Sequence, residues 1–525
     1  MKRATLLAIA SLVLTFTQAN ATTQKIFKAA RHDTSKPLRN LITSSPSQGT
    51  ASEKHEPRPT RALITSSTAD PVTHQLTGTL PGVTAGLNFE GQSANDNRNV
   101  FGFAFVPPDT NGAVGATQYV QMVNITIAVY DKSSGALVLG PAAIHSIWNG
   151  FGGPCEFESP DGGDPVVLYD HLANRWLVSQ LQYNSKFTQN EQCVAISTTS
   201  DATGTYNRYE FDYGANFPDY PKYGIWPDAY YNTVNMFIGN GFGGAAACAF
   251  DRNAMLAGAA ASAICFQGDP SIGSLLPSDL DGAAPAAAGE PNFFLHIADG
   301  THLNLYKFHA DFAHPANSTF SGPTAVAVAP FNEICAGANS ASCIPEPNPG
   351  EKVDGLSDRL MFRLAYRNLG DHESLFVNHT VAGGALGGVR WYEIRNPQGS
   401  PTVFQQGTVV DPNVDYWLGS IASDKAGNVA LGFSASGKAI NPSIYIAGRA
   451  PGDPAGVLGG PLVLAGGSGV QVQSYKRWGD YSAMTVDPTD DCTFWYTNEY
   501  YSTTGSFNWT TRIGSFKFNS CKRGR

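Results

Sequence analysis

Three carboxylates, Asp164, Asp480 and Glu499, flank short apolar runs at positions that no local pattern explains, and Arg477 stands close to two of them in sequence. Two carboxyl groups at suitable separation can serve as acid and as nucleophile or base on a glycosidic bond. An arginine beside them can grip an acidic substrate group through two parallel hydrogen bonds. Asp109, Lys222, Asp358, Arg359, Arg477, Trp417, Trp478 and Tyr500 add polar groups and flat rings suited to holding a sugar. Asp164, Asp480 and Glu499 are therefore the candidate catalytic groups if the chain is an enzyme, and the other eight are the candidate ligand-binding groups. The sequence leaves open whether it is one.

Elements that position such residues can be read from a repeat. PVVLYDHLANRWLVSQ from Pro165, GIWPDAYYNTVNMF from Gly224, SIASDKAGNVALGFS from Ser420 and SAMTVDPTDDCTFWYT from Ser482 align without gaps. Each has an apolar strand, then Asp, three residues, then Asn or Asp, then a second apolar strand. The pairs are Asp170/Asn174, Asp228/Asn232, Asp424/Asn428 and Asp487/Asp491. Short polar side chains suit a tight turn because they bond to nearby backbone and tolerate left-handed conformations. Looser copies begin at Thr110, Phe293 and Arg359. Hairpins recurring every ~55 to 70 residues signal a propeller, with room in each interval for two further strands. The expected fold is an all-β, seven-bladed β-propeller over residues 86–521, with six or eight blades as alternatives.

In such a fold the repeated Asp/Asn turns share one face. The non-repeating residues that precede inner strands or end second strands gather on the opposite face, at the channel entrance. Asp487, Asp491, His372 and Glu373 then read as turn residues, and Asp480 and Glu499 as members of a possible site.

Four phrases, DTNGAVGATQYVQMVN, GGDPVVLYDHLANRWLVSQ, FPDYPKYGIWPD and RWGDYSAMTVDPTDDCTFWYTNEY, resemble a group of exported bacterial β-propeller proteins. The resemblance covers about residues 95–521 and implies the fold and export, without catalytic residues to carry over. SDKAGNVALGF is more loosely similar to the Asp-box of sialidase-type propellers. Two residues separate Asp424 from Gly427 where that box has one, so sialidase activity is not implied.

The N-terminus reads as a signal peptide over residues 1–21: Lys2 and Arg3, an apolar Leu6–Leu14, then Ala19-Asn20-Ala21. Residues 22–85 are polar, with few large apolar side chains, and read as a disordered linker or pro-segment. A short basic tail, 522–525, follows the propeller. Eight cysteines suit an oxidising compartment, and their spacing suggests local couples at Cys155/Cys193, Cys248/Cys265, Cys335/Cys343 and Cys492/Cys521. A secreted or periplasmic monomer is expected.

The net charge of -9, without Lys/Arg clusters, argues against nucleic acid and anionic membrane surfaces as partners. No apolar run reaches the length of a membrane span. GNGFGG from Gly239 opens no helix, so it is not read as a nucleotide fingerprint. No cofactor is expected, although the Asp/Asn-rich turns leave room for a structural calcium. Metal content is otherwise open. Two functions fit these readings: binding of an extracellular glycan or another exported macromolecule, or glycan cleavage by a glycoside hydrolase or polysaccharide lyase. Both use the channel-entrance face.

Overall fold

Alternating apolar residues with β-branched and aromatic side chains, cut at short intervals by Gly, Asn and Asp, make strand the dominant element among the described residues. The structure is a computed structural model that describes residues 23–42, 64–76, 80, 82–157, 162–239, 241–335, 342–472 and 476–522. The expected signal peptide and residues 43–63 of the expected linker lie outside the described residues.

Successive strands pair antiparallel with their neighbours in groups of four, over residues 111–143, 166–214, 216–267, 276–327, 361–410 and 415–465, here called the first to sixth sheets. The seventh has three strands from residues 483–518 and takes its fourth, outermost strand from Val83–Ser93, which pairs antiparallel with Trp509–Phe518. The fourth and fifth are joined at their inner edges, where Ser278–Asp281 runs parallel to Leu364–Arg367. The result is an all-β, propeller-like arrangement of antiparallel sheets, whose apolar core lies between neighbouring sheets. Leu168 and Leu177 of the second pack with Tyr223, Tyr230 and Phe250 of the third.

The repeated turns form as the side-chain chemistry requires. Asp170 pairs with Arg175 across the first tight turn, and its Oδ1 accepts from the Ala173 amide while Asn174 takes the left-handed conformation at φ 54°. Asp424 Oδ1 accepts from the Ala426 and Asn428 amides, and Asn428 Nδ2 donates to Asp424 Oδ2. The Asp228/Asn232 pair differs: the strand has already restarted at Ala229, so Asn232 lies within it and donates to the Lys222 carbonyl.

Two expectations need correction. The copy at Phe293 forms the second and third strands of its sheet, Asn292–Asp299 and His302–His309. The inner strand is Leu276–Asp281, upstream of that copy and carrying Asp279 and Asp281. The segment expected to be a linker also contributes strands to the sheets. Thr23–Lys28 pairs with Ser262–Gln267, Arg31–Thr34 with the strand at Asn207–Glu210, and Thr73–Gln75 runs parallel to Thr408–Val410. These edge strands are polar because much of their surface faces water, while backbone hydrogen bonds hold them.

Four disulfides join Cys155–Cys193, Cys248–Cys265, Cys335–Cys343 and Cys492–Cys521, the couples their spacing suggested. Among the described residues, no helix is long and apolar enough to cross a membrane.

Candidate functional site

Where the chain turns into several inner strands, one residue adopts a left-handed conformation: Asp109 (φ 47°), Asp164 (φ 46°), Tyr220 (φ 55°) and Ser274 (φ 51°). Such backbone is strained for most residues and tolerated by Asp, whose side chain bonds locally. Here the aspartates bond across sheets instead. Asp109 Oδ1 accepts from the Asp480 amide at 2.7 Å, and Oδ2 accepts from Asn124 Nδ2 at 2.6 Å. Asn124 Oδ1 accepts from the Asp164 amide at 2.9 Å, and Asp164 Oδ2 accepts from the Tyr220 amide at 3.2 Å. A belt of hydrogen bonds thus runs from the seventh sheet through the first and second to the third.

Lys222 closes the belt. Its Nζ lies 3.0 Å from the centre of the Tyr220 ring and 3.5 Å from that of Tyr481, a doubled cation–π contact. Burial pushes the Lys222 ammonium well below its ordinary pKa, while Asp164 and Asp480 oppose that shift. Arg359 lies 4.7 Å from the centre of the same Tyr220 ring and donates to both carboxylate oxygens of Asp358 at 2.8 and 3.1 Å. Arg477 Nη2 reaches both oxygens of Asp480 at 3.0 and 3.1 Å. Glu499 Oε2 accepts from the Gly479 amide at 2.9 Å, and burial raises its carboxyl well above the usual range. Nearby Glu346 is pushed up to about 8, chiefly by burial, although its Oε1 accepts from the Gln471 amide.

The structure therefore brings together Asp109, Asp164, Lys222, Asp480 and Arg477, with Arg359 and Asp358 beside the same tyrosine. Asp164, Asp480 and Glu499 are buried. Three expected ligand contacts are not available as such. Trp417 and Trp478 are fully buried and pack edge to face at 5.7 Å, and Trp478 Nε1 donates to Ser434 Oγ, so neither ring offers a stacking face. Tyr500 follows Glu499 on a strand and so points to the opposite side of the sheet, where its hydroxyl donates to Glu90 Oε1 at 2.9 Å.

A cavity of about 300 Å³ opens beside the repeated turns at Asn174 and Asp491. Inner strands of the first, second, third, fourth, fifth and seventh sheets all contribute to its lining. Arg363 is its charged floor: Nε donates to Asp279 Oδ2 at 2.6 Å, Nη2 to Asp281 Oδ1 at 2.7 Å and Nη1 to the Met484 carbonyl. His171, Asn174, Thr485, Thr489 and Asp491 add polar groups around it, and the buried Thr485 hydroxyl has no hydrogen-bond partner. Sequence reasoning missed Asp279, Asp281 and Arg363. The usable signal was the alternation of SDLD, which places both aspartates on one face of a strand.

Among the described residues, no group of three or more His, Cys, Asp or Glu side chains is placed to hold a metal ion. The crowded histidines from His296 to His314 form none.

No protein-family model matches the chain, and no curated protein matches it. Distant likenesses exist among solved structures, to several propeller-like folds rather than specifically to sialidases. They include the endo-arabinase from Bacteroides thetaiotaomicron VPI-5482, with 10% identity, 67% of this chain and 94% of that one covered, and a TM-score of 0.26. The α-L-arabinofuranosidase from Fusarium graminearum has 8% identity, coverage of 78% and 93%, and a TM-score of 0.33. Drosophila Semaphorin 1b, extracellular domains 1–2, has 10% identity, coverage of 85% and 88%, and a TM-score of 0.36. At such scores none of them decides a substrate or an activity for this chain.

Proposed function

We propose that this chain is an exported, glycan-binding β-propeller of seven blades, with Val83–Ser93 closing the ring as the outer strand of the last blade. The supporting observation is the axial cavity of about 300 Å³, a volume at the lower end of small-molecule sites, ringed by hydrogen-bonding side chains. A sugar presents hydroxyls that both donate and accept, which matches a lining of carboxylates, an amide, two threonine hydroxyls and an imidazole. The ligand site then belongs to the turn face of the axis rather than to the entrance face. At the entrance, the candidate ligand-binding groups are engaged with one another. A secreted or periplasmic location follows from the export reading.

A titration of the full chain against a panel of neutral oligosaccharides, read by calorimetry, tests this. His171→Ala and Thr485→Val should each weaken the best ligand by tenfold or more. Binding indifferent to both substitutions, or no binding across the panel, overturns the reading.

One observation favours a second reading, glycan cleavage at the entrance. Glu499, whose carboxyl burial raises well above the usual range, accepts from the amide next to that of Asp480, which Arg477 holds as an ion pair. A proton donor beside a carboxylate is the division of roles that glycosidic cleavage uses. New reducing ends or unsaturated products from a glycan panel, abolished in Asp480→Asn and Glu499→Gln, would support it. Activity fully retained in the double variant would remove both residues from the mechanism.

A further inference from the structure

Between the fifth and sixth sheets, apart from the axis, a groove of about 380 Å³ is lined by Arg395, Phe404, Lys425, Arg449 and His372. Arg449 is only 5% exposed, yet its Nε has no hydrogen-bond partner. Its Nη2 donates to the backbone carbonyl of Asp453, and that residue's carboxylate is turned to the Ala450 amide. Glu393, the other acid at this wall, is taken up by Ser374 Oγ, Arg395 Nε and Gln405 Nε2. Asp371 is held by His372 Nδ1. Asp453 and Glu393 thus act on Arg449 only through space. A buried guanidinium without a carboxylate of its own is costly, and an anion brought to it recovers that cost.

A second feature fixes what carries the anion. Phe404 is 53% exposed at the rim of the groove, and the Arg395 guanidinium lies 3.3 Å from its ring centre. One face of the ring is therefore covered by a cation, which fixes the ring's orientation and leaves the opposite face for a ligand. An exposed aromatic plane within a few side chains of an unmatched arginine suits a pyranose ring stacked through its C–H face, with its carboxylate directed inward. Lys425 stands at the same rim, its Nζ donating to the Asp490 carbonyl.

We propose that this groove is a second saccharide site, specific for acidic sugars, in which Arg449 binds the carboxylate of a uronic acid and Phe404 stacks on its ring. The assignment rests on the reading of the protein as glycan-directed, and it adds both a separate place and a ligand class.

The test is calorimetric titration of the full chain with a galacturonic acid pentamer, the same pentamer as its methyl ester, and a glutamate pentamer. The acid form should bind, and the ester should bind at least tenfold more weakly because only the charge has been removed. Arg449→Met should weaken the acid form at least tenfold. Phe404→Ala, a change at an exposed side chain that leaves the core intact, should weaken it severalfold even if Arg449→Met folds poorly. Equal binding of acid and ester overturns the groove assignment while leaving the glycan reading in place. Binding of the glutamate pentamer with the same dependence on Arg449 overturns the sugar class. Failure of all three ligands, or indifference to both substitutions, overturns the proposal, whereas the glycan reading stands or falls with the neutral panel at the axial cavity.

Discussion

Asp109 and Asp480, 371 residues apart, are joined by a 2.7 Å hydrogen bond from the Asp480 amide to the Asp109 carboxylate. The same carboxylate holds Asn124, which in turn holds the Asp164 amide. These acids are therefore joints between sheets as much as candidates for chemistry.

Asp109→Ala should leave two buried donors without their acceptor. We expect a loss of about 2–4 kcal/mol from those unmatched groups, read as a lower urea midpoint. Asp109→Asn should lose less, since its amide oxygen can still accept from Asp480 and Asn tolerates the left-handed backbone. Equal stability of Asp109→Ala and the parent would sink the joint.

Glu346 gives the protein a pH dependence. Its folded-state pKa of about 8 lies above the ordinary value of 4.5, so the unfolded chain releases its proton first as pH rises. The contribution of this group should be greatest below about pH 4.5, fall by up to ~1.4 kcal/mol per pH unit between there and pH 8, and level off above. Glu499, raised by burial in the same direction, steepens the fall. Glu346→Gln should flatten the profile and stabilise the protein at pH 8, as followed by denaturant midpoints from pH 5 to pH 8.

Arg363 neutralises Asp279 and Asp281 beneath the axial cavity, all three buried. Arg363→Met should be destabilising by about 3–5 kcal/mol because it strands two buried carboxylates. The added substitutions Asp279→Asn and Asp281→Asn should restore much of that loss. If the triple variant is no more stable than Arg363→Met, the arginine does not act through its charge.

Truncations separate the N-terminal strands by role. Removing residues up to 42 deletes outer strands whose loss leaves each sheet with four others, and should lower Tm by only a few degrees. Removing residues up to 93 also strips the outer strand from the seventh sheet and should abolish cooperative unfolding, as seen by circular dichroism on heating. Cooperative melting of the longer truncation would contradict the importance of that pairing.

The hairpin turns at Asp170, Asp424 and Asp487 were legible because a turn writes its requirement into a few adjacent residues. The cysteine couples were legible for a similar reason, each closing a short stretch of chain. Leu276–Asp281 was not legible as an inner strand, since two aspartates are normal in a loop and only Arg363, far along the chain, makes them tolerable in the interior. Thr23–Lys28 escaped notice because an edge strand needs backbone partners more than apolar side chains. At the site, residue types pointed to Asp109, Asp164, Lys222, Arg477 and Asp480, which the structure does bring together. That Arg477 would occupy Asp480, or that Trp417 and Trp478 would bury each other, depends on contacts that no local pattern records.

The pairing of Val83–Ser93 with Trp509–Phe518 also sets an order of events. Leu87 meets Ser515 across 428 residues, so Val83–Ser93 has no partner strand until that distant segment is brought to it. Closing so large a loop is slow, and contacts this distant in sequence delay folding more than they affect final stability. Until then the Trp509–Phe518 edge is open to any strand that reaches it, including its counterpart in another copy. The strand that completes this sheet thus couples two distant segments: neither edge is satisfied until the other has been brought to it.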